Sequence, residues 1–167
     1  MEQAVSVTRN RRVGVIATAA SIGSGSFQRA LEARDCAVFA AACPQYVPLA
    51  EQGRVQRGDP LVEQVTAEYL APLRAAEVDT LILGCTHFPL FREAIAAYMG
   101  EGVALVDASA AAAEALTARL GGSWKEKAGE GRGRLEIRVS GDPVPFAPLA
   151  ERFLQEKHLR VRKARLT

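Results

Sequence analysis

Apolar positions along the chain fall into short unbroken runs separated by segments with helical spacing. Val13 to Thr18 is the first run, rich in β-branched residues. The small-residue stretch Ala19 to Gly25 reads as a turn, and Phe27, Ala30 and Leu31 then share one face of a helix over 27–33. Cys36 to Ala41 is a second apolar run and reads as a strand that includes Cys36. Pro44 and Pro48 punctuate the next stretch, where Val47 to Glu51 reads as a short helix with proline near its start. Asp59-Pro60 marks a helix N-terminus, with Asp as the cap and Pro at the first helical position. Leu61, Val65, Tyr69 and Leu73 recur at i+4 steps, which predicts a long amphipathic helix over 60–76 that Pro72 should kink or end.

Asp79 to Gly84 is a third strand, apolar on both faces, and Phe88 to Met99 reads as the helix after it. Val103 to Val106 is a fourth strand, followed by Asp107 and an alanine-rich helix to Leu120 that Gly121-Gly122 ends. Strands without polar alternation, each followed by a helix, predict an α/β fold: a parallel sheet with helices on both faces. Residues 122–133 are polar and Gly-rich and read as a linker. Arg134 to Ser140 alternates Leu135, Ile137 and Val139 with polar residues, as a half-exposed or edge strand does, and Phe146 to Gln155 reads as a closing helix. The expected organisation is a lobe over 1–121, the linker over 122–133, and a strand–helix segment with a basic tail over 134–167.

Composition narrows the class. With 49% apolar and 24% charged residues, the chain is neither disordered, collagenous nor membrane-embedded. A net charge of +2 argues for no nucleic-acid or membrane partner. Residues 1–120 hold 10 basic and 13 acidic residues, whereas 121–167 hold 11 basic and 6 acidic, which supports a boundary near Gly121. No aromatics interleave the basic run near the end, so it does not read as a nucleic-acid arm. Three cysteines, Cys36, Cys43 and Cys85, cannot all pair within one chain. No signal-like segment opens the sequence and no apolar run approaches about 18 residues, so the expectation is a cytoplasmic protein with reduced thiols.

In open parallel sheets, ligands bind beyond the carboxyl ends of the strands. That rule selects Thr18 to Ser24, Cys43 to Glu51 and Gly84 to Pro89. Gly84-Cys85-Thr86-His87 is the richest of the three. A helix N-terminus after the strand would favour the Cys85 thiolate, and His87 can give or take a proton near neutral pH. A thiolate beside an imidazole is a base suited to removing a carbon-bound proton. Cys36 reads as core. Cys43, at a strand end, reads as core or pocket lining, with packing favoured. Taken alone, Glu51 reads as an exposed carboxylate. A zinc site on Cys85 and His87 lacks a second pair with ligand spacing. Gly23 and Gly25 begin a G-x-G, but Gln28 stands where a dinucleotide fingerprint needs glycine.

Leu83 to Leu90, LGCTHFPL, resembles the second cysteine motif of glutamate racemases, in the aspartate/glutamate racemase superfamily. Gly14 to Ser24, Ala42 to Glu51 (ACPQYVPLAE), Val106 to Ser109 and Ser140 to Phe146 resemble further segments of that family, in its order and spacing. The resemblance covers about residues 1–155. It implies an Asp/Glu racemase-like lobe and cofactor-independent interconversion of L- and D-glutamate, supplying D-glutamate for peptidoglycan. Two lobes of the family each give one cysteine; one thiolate takes the α-proton and the opposite thiol returns one to the other face. Carried across, Cys85 is the acid/base on one face and His87 assists it. Thr86 and His87 bind substrate, Glu51 matches a carboxylate implicated in catalysis, and Thr18 and Ser21 lie on the loop facing the substrate. No metal is implied. His87, where aspartate racemases tend to carry Glu, favours glutamate over aspartate.

The departures are as specific. The family's initial Asp-Ser-Gly, Pro-Tyr-Gly and Cys-Asn-Thr segments, the last carrying the first cysteine, have no counterpart here. Met1 to Val5 resembles an internal segment of the family just before the second lobe. The expectation is therefore a C-terminal half with one of the two cysteines, inactive as a monomer. Its partners would be the amino-acid substrate and either a second copy or a complementing N-terminal lobe. The alternatives are an aspartate or other superfamily racemase, a non-catalytic amino-acid-binding module, and an α/β enzyme using Cys85 as a covalent nucleophile.

Overall fold

The computed structural model describes residues 1–121 and 135–165. The chain divides into two compact units, Met1–Arg119 and Leu120–Thr167. In order, the first contains α1 (Glu2–Val7), β1 (Arg12–Ala17), α2 (Ala19–Gly23), α3 (Ser26–Glu32), β2 (Ala37–Ala42), α4 (Tyr46–Glu51) and α5 (Pro60–Ala75). Next come β3 (Thr80–Leu83), a 3-10 turn (Phe88–Phe91), α6 (Arg92–Met99), β4 (Ala104–Asp107) and α7 (Ala108–Leu120). Beyond it lie β5 (Ile137–Val139), α8 (Pro143–Leu154) and β6 (Val161–Lys163). The linker expected over 122–133 lies outside the described residues.

The four strands of the first unit form one parallel sheet in the order β2-β1-β3-β4. This is the α/β architecture expected from the apolar runs. Alternation along each strand divides the core between the two faces. Ile16, Leu81 and Leu83 pack with residues of α4, α5 and α6, whereas Val13, Val15, Ile82 and Val106 pack with Ala4 and Leu31 on the other side. Each fully buried Leu or Ile there contributes about 1.5–3 kcal/mol through lost water contact. No described helix is long and apolar enough to cross a membrane.

The elements differ from the sequence expectations in six places. Ala19–Gly23 is a short helix rather than a turn, because Thr18 caps it by accepting the Ser21 N–H at 3.3 Å. Cys36 precedes β2 instead of lying within it, though it is buried. Pro72 does not stop α5, which continues to Ala75; it sits exposed near the C-terminal end of the helix, so few residues follow the bond it cannot make. The segment after Cys85 opens as a 3-10 turn, with Phe88 N–H donating to the Cys85 carbonyl at 3.1 Å and Leu90 N–H to the His87 carbonyl at 3.2 Å. Cys85 therefore does not sit at the N-terminus of an α-helix. Finally, α8 starts at Pro143, capped by Asp142, whose carboxylate accepts the Val144 N–H at 2.9 Å. This is the same Asp-Pro signal that opens α5. In the second unit β5 pairs in parallel with β6, an element absent from the sequence reading.

Candidate active site

The carboxyl edge of the sheet is built by register. Ile16 pairs with Leu83, Ala17 with Ala42, and Leu83 with Asp107, so the strands end together. Two further backbone bonds extend the ladder: Cys43 N–H donates to the Ala17 carbonyl at 3.0 Å, and Gly84 N–H to the Ile16 carbonyl at 2.8 Å. Thr18, Cys43 and Cys85 consequently leave β1, β2 and β3 at one edge. Asp107 closes the row, its carboxylate accepting the Ser109 N–H at 2.8 Å and so capping α7. Gly84 is where the backbone of β3 comes closest to β1. A Cβ there would lie 3.0 Å from the Ile16 carbonyl oxygen and 2.9 Å from the Phe27 ring.

Cys85 emerges half-buried from this close approach. Its Sγ lies 4.0 Å from His87 Nδ1, and Thr86 Oγ1 lies 3.5 Å from the same nitrogen. On the far side of the ring, His87 Nε2 is 3.9 Å from Glu51 Oε1, at the end of α4. The fold thus gathers thiol, imidazole and carboxylate into one row, with the imidazole between the other two. Catalytic contacts are commonly long without substrate and tighten when it binds. A carboxylate beyond the imidazole can orient the ring.

The remaining predicted residues are placed as follows. Thr18 Oγ1 donates to Ser21 Oγ at 3.0 Å, so the two hydroxyls form one pair at the start of α2. Thr86 is exposed. Cys43 is buried, and that burial, helped by the neighbouring Cys85, pushes its thiol from 9.0 up to about 12. Such a thiol stays protonated and serves as packing. Among the described residues, no three His, Cys, Asp or Glu side chains converge as a metal site would require.

Sequence reasoning missed the residues that support this row. Tyr46 stacks on Phe91 with ring centres 4.3 Å apart and meets Phe88 edge-on at 5.1 Å. These rings come from segments more than forty positions apart, and nothing in either segment signals the other.

The Asp/Glu/hydantoin racemase family matches residues 1–116. The glutamate racemase of Desulforudis audaxviator is 40% identical over 160 residues, covering 91% of this chain and 58% of the relative. A glutamate racemase isoform from Bacillus anthracis superposes with a TM-score of 0.86 at 30% identity, over 99% of this chain and 61% of that one. The Francisella tularensis glutamate racemase, solved in complex with D-glutamate, gives a TM-score of 0.81 at 29% identity, over 99% and 62%. The chain therefore spans a little over half the length of the proteins it matches.

Proposed function

The chain belongs to the Asp/Glu/hydantoin racemase family, and from that premise we propose that it acts in interconverting L- and D-glutamate. In this reading Cys85 is the acid/base on one face of the substrate α-carbon. As thiolate it takes the α-proton, leaving a planar carbanion conjugated with the carboxylate. A second acid on the opposite face returns one proton, and the stereocentre inverts with no net change in protons. His87 accepts and returns the thiol proton, and Glu51 orients the imidazole. Thr86 and His87 bind the substrate, with Thr18 and Ser21 beside them. The D-glutamate formed would serve peptidoglycan synthesis.

The observation that carries this reading is the row Cys85–His87–Glu51 at the carboxyl edge of the sheet. Of the three cysteines, Cys36 and Cys43 are buried, which leaves Cys85 as the thiol that can meet a substrate. The second acid is then supplied by another polypeptide surface, either a second copy or a complementing lobe, and the monomer alone inverts little or no glutamate.

The test is incubation with L- and D-glutamate in heavy water, following α-deuteration by NMR and inversion by circular dichroism across protein concentration. The expected result is negligible inversion at dilutions where the chain is monomeric, with any exchange abolished by Cys85→Ser. Rapid inversion by the monomer would overturn the one-thiol reading. Exchange that survives Cys85→Ser would overturn the role of Cys85.

A further inference from the structure

The Glu51–His87 contact cannot hold itself together. The Glu51 side chain is 56% exposed and its carboxylate is 3.9 Å from the imidazole, so solvent screens the pair. Exposed pairs of this kind contribute too little to fix the backbone that carries them. Something else must set where the end of α4 stands relative to the turn after Cys85.

Tyr46, the first residue of α4, is fully buried, as are Phe88 and Phe91. Its ring lies flat on Phe91, with planes 11° apart, and against the edge of Phe88. Both phenylalanines belong to the 3-10 turn that begins directly after His87. The Tyr46 hydroxyl donates to Thr66 Oγ1 at 2.9 Å. One turn further along α5, the Tyr69 hydroxyl accepts the Gln45 N–H at 3.3 Å, and the two tyrosine rings meet edge-on at 5.7 Å. A single face of α5 thus grips the start of α4, and the start of α4 grips the turn that follows the imidazole. Burial raises the Tyr46 phenol well above its ordinary range and so keeps it a neutral donor to Thr66.

We infer that Tyr46 is a positioning residue for the Cys85–His87–Glu51 row. Its stack on Phe91 locks α4 to the turn after His87, and that lock sets the separation of the Glu51 carboxylate from the imidazole. The inference deepens the racemase reading given above and rests on it for its catalytic meaning. The geometry it asserts can be measured without any turnover.

The experiment uses the full chain labelled with 15N-histidine, with long-range proton–nitrogen spectra of the His87 ring. A companion measurement is the rate of Cys85 alkylation by iodoacetamide across pH. Tyr46→Leu and Phe91→Leu should each move the His87 ring signals as Glu51→Gln does. They should also change the Cys85 alkylation rate in the same direction as Glu51→Gln, by about 1.5- to 5-fold, the size expected of an exposed ion pair. Adding Glu51→Gln to Tyr46→Leu should change nothing further. Tyr46→Phe, which keeps the ring, should retain the parental signals.

A folded Tyr46→Leu chain with parental His87 signals would overturn the inference, as would effects that simply add to those of Glu51→Gln. Should Tyr46→Leu fail to fold, Phe91→Leu makes the same test with Tyr46 and its bond to Thr66 in place. None of these readouts uses glutamate. Exchange into glutamate that survives Cys85→Ser therefore counts against the racemase reading alone, and unmoved His87 signals count against the positioning role alone.

Discussion

Cys43 and Cys85 leave the ends of two strands that flank β1, and they meet opposite environments. Cys43 is 1% exposed, whereas Cys85 is half-buried, with His87 at 4.0 Å from its sulfur. The Cys43 thiol, pushed up to about 12, stays protonated throughout the neutral range. Only a thiolate is an effective nucleophile, and it must also be reachable. Iodoacetamide at pH 8 should therefore modify Cys85 at least about tenfold faster than Cys43 or Cys36 in the folded chain. Peptide mass spectrometry over a time course reads this directly. Equal rates under native conditions would contradict the burial assigned to Cys43.

Replacing Cys85 by Ser removes the acid/base while nearly preserving shape. Where the complete site is assembled, α-proton exchange should fall by about 10²–10⁴-fold, the usual worth of a positioned general base. The Tm should stay within about 2 °C, because Cys85 is at the margin of the core rather than within it. His87→Gln should lower the same rate less, since it assists the thiol without touching the α-carbon. Heavy-water exchange with a parallel melting curve separates loss of chemistry from loss of fold.

The central strands β1 and β3 are legible in the sequence because they are buried on both faces, which leaves unbroken apolar runs such as Val13 to Ala17. The α5 cap is legible because Asp59-Pro60 satisfies two requirements of a helix start at once. The α2 helix is not. Ala, Ser and Gly make a weak local signal, and its start depends on one hydroxyl, that of Thr18, accepting the Ser21 N–H three residues on. β6 is illegible for a different reason. Val161 is flanked by Arg160 and Arg162, and its pairing with β5 is decided by a strand some twenty residues earlier. At the candidate site, Cys85, Thr86 and His87 are adjacent in sequence and could be read together. That Glu51 stands across the same imidazole, with Tyr46 and Phe91 beneath, follows only from how α4 packs on the 3-10 turn.

Gly84 fixes how closely the turn bearing Cys85 approaches β1. A methyl group there would press on a backbone oxygen, that of Ile16, which cannot move without breaking the sheet. Gly84→Ala should therefore destabilise the chain by about 1–3 kcal/mol, as overpacking does. It should also slow Cys85-dependent exchange, because the turn must shift outward. Gly23 is the control. It lies within α2, and a methyl group added to it would meet nothing within 4 Å, so Gly23→Ala should leave stability unchanged or raise it by about 0.5–1 kcal/mol. Urea melts of the two variants against the parent chain give the comparison, and a Gly84→Ala chain as stable as the parent would refute the close approach.

Asp79 joins the segment before β1 to the foot of β3. Its carboxylate accepts the Thr8 hydroxyl and the Arg9 N–H at 2.6 Å each, and the Asn10 N–H at 2.7 Å. The Thr80 hydroxyl donates at 3.0 Å. Burial alone would raise its pKa, but these donors together outweigh that and hold it below the ordinary 3.8. A carboxylate depressed in the folded state stabilises the fold above the unfolded pKa and loses that contribution as pH falls through the folded one. The parent chain should accordingly be more stable than Asp79→Asn near pH 7, where the amide's NH₂ would oppose one of the N–H donors. The gap should be constant from pH 7 to about 5 and close progressively below about pH 4. Melting temperatures of both chains across that range test the sign, and a gap that widens in acid would show that Asp79 is not the anchored carboxylate described.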